Sequence, residues 1–233
     1  MGRWLRGLVL TIIAAVGITI GAGGDSAVHP AASTSGTTAL ATLEQLVVVS
    51  SRVRADGFDR SCKAGHGCVF GSAWSDDVDV DGGHNGCSTR DDVLRRDMSS
   101  VSTKPGTHGC VVMAGILHDP YTGQVIEFTK ATAGAVNIDH VFPLAAAWDL
   151  GAAGWSLKQR QDFANDPRNL LAVSASANAA KGDRTPGDWS PAVPAGRCLY
   201  AQRYIDTAAA YRLPVTTQDK AALREAVAAL PRG

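Results

Sequence analysis

Residues 136–184 decide the fold through three successive stretches, VNIDHVFPL at 136–144, NDPRNLLAV at 165–173 and SASANAAKGDR at 174–184. The first stretch predicts a short strand whose end presents Asp139 and His140 as neighbours. Pro143 lacks the N–H that a sheet ladder needs, so this strand must stop before it. The second stretch predicts a loop that leads into another strand. Two strands are therefore expected before residue 174.

The third stretch predicts a short helix directly after the second strand. Ser174 or Ser176 would cap its first turn, and Gly182 would end it. Asn178 and Lys181 are three residues apart, so they lie on the same face of this helix. The expected order is strand, strand, helix, and its polar side chains form the candidate site.

The overall composition is that of a globular protein. The 233 residues include 22 Lys and Arg against 22 Asp and Glu, with 45% hydrophobic and 19% charged content. These values exclude a disordered tail, a collagen-like repeat and a coiled coil. Loss of residues 1–24 would leave 20 basic against 22 acidic residues, a net charge of minus 2. Attraction for a polyanion would then have to be local, from clustered cations or a bound metal ion.

The N-terminus has the pattern of a secretory signal peptide. Arg3 and Arg6 precede an uncharged, mostly apolar stretch at 7–24, and small residues predict cleavage near Gly24. The alternative is an uncleaved membrane anchor formed by residues 4–24. We expect a secreted protein that has no membrane contact after cleavage.

The rest of the chain predicts a spacer and a single domain. Residues 25–38 are small and polar, which is typical of a flexible spacer. No internal repeat or second linker follows. Residues 39–233 are therefore predicted to form one domain with its core at about 136–184.

Five cysteines in an exported chain are expected to form disulfides rather than to remain thiols. Cys62 and Cys68 bracket a short glycine-containing loop that can close on itself, and Cys87 with Cys110 is the natural second pair. Cys198 is then odd, although a pairing of Cys110 with Cys198 stays open.

A zinc site is the rival interpretation of the same cysteines. It would use four side chains of suitable type, whose spacing matches no standard zinc finger: Cys62, His66, Cys68 and His84.

Local patterns predict a helix and a hairpin before the candidate site. Ser88 and Asp91 have the spacing of a capping box, which opens a charged helix. The DPYTG sequence at 119–123 has the turn chemistry of a hairpin between strands at 111–117 and 124–128.

Further helices are expected at both ends of the domain. Apolar residues at 40–47 recur at helical spacing before a run of valines that favours extended structure. Two helices at 199–213 and 218–230 are separated at Pro214, with Thr217 available as the second N-cap.

The candidate site resembles a known motif. Asp139 with His140, then Asn169, then Asn178 with Lys181 resemble the HNH endonuclease motif, in which a ββα-metal finger holds one divalent cation against a scissile phosphate. The chain looks like secreted bacterial HNH proteins that are related to the C-terminal domain of GmrSD-type restriction enzymes. This similarity covers roughly residues 40–231 and includes GFDR at 57–60, GCSTRD at 86–91, DPYTG at 119–123 and FAND at 163–166.

The resemblance implies roles for the polar residues of the motif. His140 would be the general base, because imidazole accepts a proton near neutral pH. Asp139 and Asn178 would supply oxygen ligands to a hard cation, with Mg²⁺ expected and Mn²⁺ as the alternative. An asparagine at 178, where other branches have histidine, favours an oxygen-preferring ion over Zn²⁺. Asn169 would join the catalytic group by fixing the loop and the His140 ring.

The resemblance also implies contacts with substrate phosphate. Lys181, the third member of the catalytic group after His140 and Asn169, would contact phosphate. Arg184 and Arg90 are weaker candidates for a phosphate contact. Arg60 and Trp74 are assigned instead to the core or to surface ion pairs.

These inferences predict an α+β fold with a ββα-metal (HNH) finger core, an N-terminal disulfide-bearing region and two C-terminal helices. The predicted protein is a secreted, metal-dependent nuclease that hydrolyses nucleic acid, DNA rather than RNA, with low sequence specificity, since no recognition module is visible. Whether an inhibitor protein restrains it stays open. The alternatives are a secreted binding module that has lost catalysis and a zinc-stabilised envelope interaction protein.

Overall fold

The structure, a computed structural model, describes residues 1–2 and 36–228. The predicted signal peptide, its cleavage near Gly24 and most of the predicted spacer lie outside these residues. Within the part of the chain that is described, no helix is long and apolar enough to cross a membrane.

The described chain has an α+β fold, as predicted. Its helices are α1 (Gly36–Gln45), α2 (Thr89–Asp97), α3 (Leu144–Asp149), α4 (Leu157–Asn165), α5 (Ala175–Lys181), α6 (Pro194–Tyr211) and α7 (Thr217–Ala228). Its strands are β1 (Val48–Val49), β2 (Met98–Thr103), β3 (Val112–His118), β4 (Val125–Thr129), β5 (Val136–His140), β6 (Leu170–Ser174) and β7 (Val215–Thr216). Short 3₁₀ helices occupy Lys130–Ala135, Ala152–Gly154 and Pro167–Asn169.

The strands pair in three small sheets. β1 and β7 are parallel, β2, β3 and β4 form an antiparallel meander, and β5 pairs antiparallel with β6. The β3–β4 hairpin around DPYTG and the capped helix α2 confirm the sequence predictions. At the start of α2, the Ser88 hydroxyl accepts a hydrogen bond from the Asp91 N–H at 3.2 Å.

The predicted order of strand, strand and helix is confirmed for β5, β6 and α5. Ser174 caps α5 by accepting a hydrogen bond from the Ala177 N–H at 3.3 Å. Gly182 ends the helix with a φ of 55°, a conformation that glycine adopts without a Cβ clash.

The β5–β6 sheet separates two hydrophobic clusters. Leu171 and Val173 belong to the larger cluster, which α1, α3, α6 and α7 cover. Leu170 and Ala172 belong to the smaller cluster against α2 and the meander. Successive side chains of a strand point to opposite faces, so β6 contributes to both clusters and is buried along its whole length. This burial fixes the orientation of every side chain on the paired strand β5.

Both predicted disulfides form, between Cys62 and Cys68 and between Cys87 and Cys110. Cys198 remains a free thiol. The rival zinc site is wrong, because the sulfurs of Cys62 and Cys68 are bonded to each other and cannot serve as thiolate ligands.

Three boundaries differ from the sequence predictions. α1 begins at Gly36, which is buried, so the last residues assigned to the spacer belong to the domain. α6 begins at Pro194, earlier than expected, because proline suits the first turn of a helix. The cap of α7 is Thr216 rather than Thr217: the Thr216 hydroxyl accepts a hydrogen bond from the Asp219 N–H at 3.0 Å and donates one to the Asp219 carboxylate at 2.7 Å.

Candidate functional site

The neighbours Asp139 and His140 lie on opposite faces of the β5–β6 sheet. Asp139 pairs with Leu171, on the side of the larger cluster. His140 pairs with Leu170, on the side of the smaller cluster. The two side chains therefore have different surroundings, although they are adjacent in sequence.

The His140 ring is held by a hydrogen bond and by a stacked indole. Its Nε2 lies 2.8 Å from the backbone oxygen of Ala164, at the end of α4. A carbonyl can only accept, so Nε2 carries the proton and Nδ1 has the free lone pair. Trp74 stacks on the same ring with centroids 5.9 Å apart and planes 12° from parallel.

The protonation state of His140 follows from this enclosure. Burial lowers the pKa of His140 to about 4, and the charges of Lys181 and Arg60 act in the same direction. The hydrogen bond to Ala164 and the charge of Asp139 oppose the shift but do not cancel it. The imidazole is therefore neutral at physiological pH, and its Nδ1 can accept a proton.

Asp139 belongs to a buried ion pair. Its Oδ1 accepts a hydrogen bond from Lys181 Nζ at 2.8 Å, and its Oδ2 accepts one from the Tyr121 hydroxyl at 2.6 Å. Lys181 also donates to the backbone oxygen of His140 at 2.8 Å. The side chain of Lys181 is 0% exposed and that of Asp139 is 3% exposed.

The described arrangement does not fit the expected divalent cation. Both carboxylate oxygens of Asp139 are engaged, and the Lys181 ammonium occupies the position next to Oδ1 where a cation would bind. Asn178 lies on α5, and its side-chain amide has no hydrogen-bond partner among the described residues. Within residues 36–228, no group of three or more His, Cys, Asp and Glu side chains is placed to hold a metal ion. We therefore assign no reaction step to a metal.

The expected phosphate contacts differ in their accessibility. Lys181 is buried, so in this structure its ammonium cannot meet a phosphate that arrives from solvent. Arg90 is half-buried and donates to the backbone oxygen of Val136 at 3.1 Å, and burial lowers its pKa. Arg184 is exposed, and its guanidinium donates to the backbone oxygen of Ala180. Of these three cations, only Arg184 is open to solvent.

Asn169 fixes the turn that follows β5. Its Oδ1 accepts the Phe142 N–H at 2.7 Å, and its Nδ2 donates to the Phe142 oxygen at 3.1 Å. The backbone oxygen of Asn169 accepts the Val141 N–H at 2.8 Å. The side chain is fully buried, so its contribution is to hold the chain next to His140.

Three residues near the site were not assigned to it from the sequence. Tyr121 donates to Asp139 from the β3–β4 turn and Trp74 stacks on His140, while the charge of Arg60 helps to lower the pKa of His140. All three lie in segments distant in sequence from the motif. The resemblance covered the segments of Tyr121 and Arg60, but no spacing rule connects any of the three to His140.

Comparison with known proteins gives a family match and a relative. The model of the family described as GmrSD restriction endonucleases, C-terminal domain, matches residues 88–226, more than half of the chain. An uncharacterized secreted protein of the fungus Arthroderma benhamiae is 42% identical over 139 residues, which cover 59% of this chain and 65% of that protein. The chain thus spans less than two thirds of that relative. No solved structure matches.

These findings bear on location and origin. The chain is an exported protein: its two disulfides suit an oxidising compartment, and the relative is a secreted protein. Because the relative is fungal, it does not support the bacterial part of the predicted resemblance.

Proposed function

Because this chain belongs to the family of GmrSD restriction endonuclease C-terminal domains, we propose that it is a secreted nuclease that hydrolyses phosphodiester bonds. The observation that carries the proposal is the state of His140. Its ring is oriented by Ala164, it is neutral, and its Nδ1 lone pair has no hydrogen-bond partner among the described residues. A proton acceptor of this kind can activate the water that attacks phosphorus in phosphodiester hydrolysis.

In the proposed reaction, Nδ1 of His140 accepts a proton from a water molecule as its oxygen attacks phosphorus. The P–O bond to the leaving oxygen breaks, and that oxygen takes a proton from solvent. Negative charge builds on the remaining phosphate oxygens, which cationic side chains can stabilise. Asp139, Lys181 and Asn169 hold the strand end that carries His140, through the contacts described above.

The expected metal stays a separate hypothesis. Nucleases commonly use a divalent ion, and the sequence predicts Mg²⁺ or Mn²⁺ at Asp139 and Asn178. With Asp139 bound to Lys181, this ligand pair would require a rearrangement of the buried ion pair. Metal dependence must therefore be measured together with activity.

DNA with low sequence specificity is the proposed substrate. The low specificity is supported by two sequence features: no sequence-reading motif is recognised, and the net charge of the chain is near zero. Because phosphate contacts position a nucleic acid without reading its bases, cleavage should differ little between sequences.

The test uses the exported chain with both disulfides formed. Supercoiled plasmid and RNA are incubated with it in Mg²⁺, in Mn²⁺ and in EDTA. We expect cleavage by the native chain and by the control His118→Ala, whose imidazole is exposed on β3, and none by His140→Ala. Failure to cleave either polymer under every condition would overturn the proposal. DNA binding without cleavage would instead favour the secreted binding module that has lost catalysis.

A further inference from the structure

The side chain of Arg60 is exposed, and its guanidinium has no hydrogen-bond or ion-pair partner among the described residues. Its positive charge is one of the causes that lower the pKa of His140, whose side chain is half-buried. By contrast, Lys181 is buried in an ion pair and Arg90 donates to a backbone carbonyl. Arg60 thus combines solvent access with a guanidinium that no described residue engages.

The backbone on both sides of Arg60 is fixed by a closed loop, residues 59–69. The Asp59 carboxylate accepts hydrogen bonds from the N–H groups of Ser61 and Gly67, each at 3.0 Å. The backbone oxygen of Asp59 accepts the Val69 N–H at 3.0 Å, and the Cys62–Cys68 disulfide closes the loop. An exposed arginine on a fixed backbone loses less conformational freedom on binding than one on a mobile segment.

Helix α4 contacts both this loop and His140. Arg160 of α4 donates to the backbone oxygen of Val69 at 2.5 Å, at the end of the loop. One turn further along α4, the oxygen of Ala164 accepts the hydrogen bond from His140. Trp74, five residues after Val69, stacks on the His140 ring. One helix therefore anchors both the loop and the proposed base.

We infer that Arg60 contacts a substrate phosphate at His140, and that the disulfide-closed loop 59–69 serves to place it there. The inference rests on the proposed function. Guanidinium suits this contact because its planar fork can donate two parallel hydrogen bonds to a phosphodiester, and it stays charged at every relevant pH. The contact reads the backbone and not the bases, so it should act alike on all sequences.

The test compares Arg60→Gln with Lys63→Gln. Lys63 lies in the same loop and is exposed, so its replacement removes the same charge without removing the inferred contact. We expect Arg60→Gln to lower the rate of plasmid cleavage on the order of 10- to 100-fold, as for loss of a hydrogen bond to a charged group. Lys63→Gln should leave the rate nearly unchanged. Thermal unfolding of both variants verifies that the fold is retained.

Binding gives a second measurement that does not require cleavage. In a His140→Ala background, the affinity for a short DNA duplex is measured across salt concentrations. Arg60→Gln should make the slope of log affinity against log salt less negative by about 0.9, and Arg60→Lys should keep it. The double replacement of Cys62 and Cys68 by Ser should remove most of the effect of Arg60→Gln, because the loop no longer places the guanidinium.

The outcomes separate this inference from the proposed function. If the native chain cleaves and Arg60→Gln cleaves equally well, the nuclease stands and the role of Arg60 is refuted. If the native chain does not cleave, the nuclease proposal fails, and the salt slope decides about Arg60. Equal slopes for Arg60→Gln and Lys63→Gln would then overturn the inference.

Discussion

Replacing Lys181 by Met should destabilise the fold strongly. Met keeps the length and apolar stem of the side chain but removes the ammonium that bonds Asp139 Oδ1 and the backbone oxygen of His140, both at 2.8 Å. The Asp139 carboxylate, 3% exposed, would then be a buried charge without a cation. Removal of one partner of a buried pair costs about 3–5 kcal/mol. That loss is a large part of the roughly 5–15 kcal/mol that stabilises a typical domain.

The assay is urea unfolding followed by tryptophan fluorescence, with both disulfides intact. Arg224→Met is the matched control, because Arg224 pairs with Glu44 on the surface, where both side chains are about half exposed. Its unfolding midpoint should hardly move. Adding Asp139→Asn to Lys181→Met should recover part of the loss, since the uncompensated charge is gone while Tyr121 keeps an oxygen to donate to.

The result that would refute this reasoning is a small loss. If Lys181→Met lowered the free energy of unfolding by less than about 1 kcal/mol, the pair would behave like an exposed ion pair. The argument from burial against a phosphate contact by Lys181 would then fail.

Three further predictions follow from the site and the disulfides. The pKa of His140 is about 4 in the folded chain and 6.5 ordinarily, so between pH 4 and 6.5 the unfolded chain binds more protons than the folded chain. The free energy of unfolding should therefore fall as the pH drops from 6.5 to 4. The thermal midpoint of His140→Ala should depend less on pH than that of the native chain. An equal dependence would contradict the burial of His140. Asn169→Asp keeps a side-chain oxygen that can accept a hydrogen bond but loses the amide N–H that donates to the Phe142 backbone oxygen. In urea titrations it should lower the free energy of unfolding by about 2 kcal/mol or more. Replacing Cys87 and Cys110 by serine removes the disulfide that joins residues 23 apart, and should lower the free energy of unfolding by about 3 kcal/mol. Removing the Cys62–Cys68 disulfide, which joins residues 6 apart, should cost less. Equal losses would be inconsistent with loop-closure entropy.

Elements set by neighbouring residues could be predicted well from the sequence. Ser88 caps α2, DPYTG at 119–123 makes the hairpin turn, and Ser174 with Gly182 bounds α5. In each case the determining hydrogen bond or backbone conformation lies within a few residues of the signal. One failure was of the same local kind. The cap of α7 lies one residue earlier, at Thr216, because the buried Asp219 carboxylate accepts hydrogen bonds from both the Thr216 N–H and its hydroxyl.

The environment of the candidate residues could not be predicted in this way. The sequence shows Asp139 and His140 as neighbours, and Lys181 as a cation on a short polar helix. The residues around them in the sequence do not indicate that Lys181 is buried, or that the Tyr121 hydroxyl donates a hydrogen bond to the second carboxylate oxygen of Asp139. Those facts depend on which surfaces the sheet and helices bury against one another.

The sequence by itself determined the α+β class, the order of β5, β6 and α5, and the Cys62–Cys68 disulfide, while the second disulfide was one of two pairings it left open. Only the tertiary structure decided how the polar residues of the candidate site are used. The alternation of β5 sends Asp139 into one hydrophobic cluster and His140 toward the other, and burial then forces the carboxylate to pair with Lys181. The loop that carries Arg60 and the ring of His140 are both anchored to α4, by residues one helical turn apart. Contacts between segments far apart in the chain have no signature in sequence spacing, since packing alone brings them together.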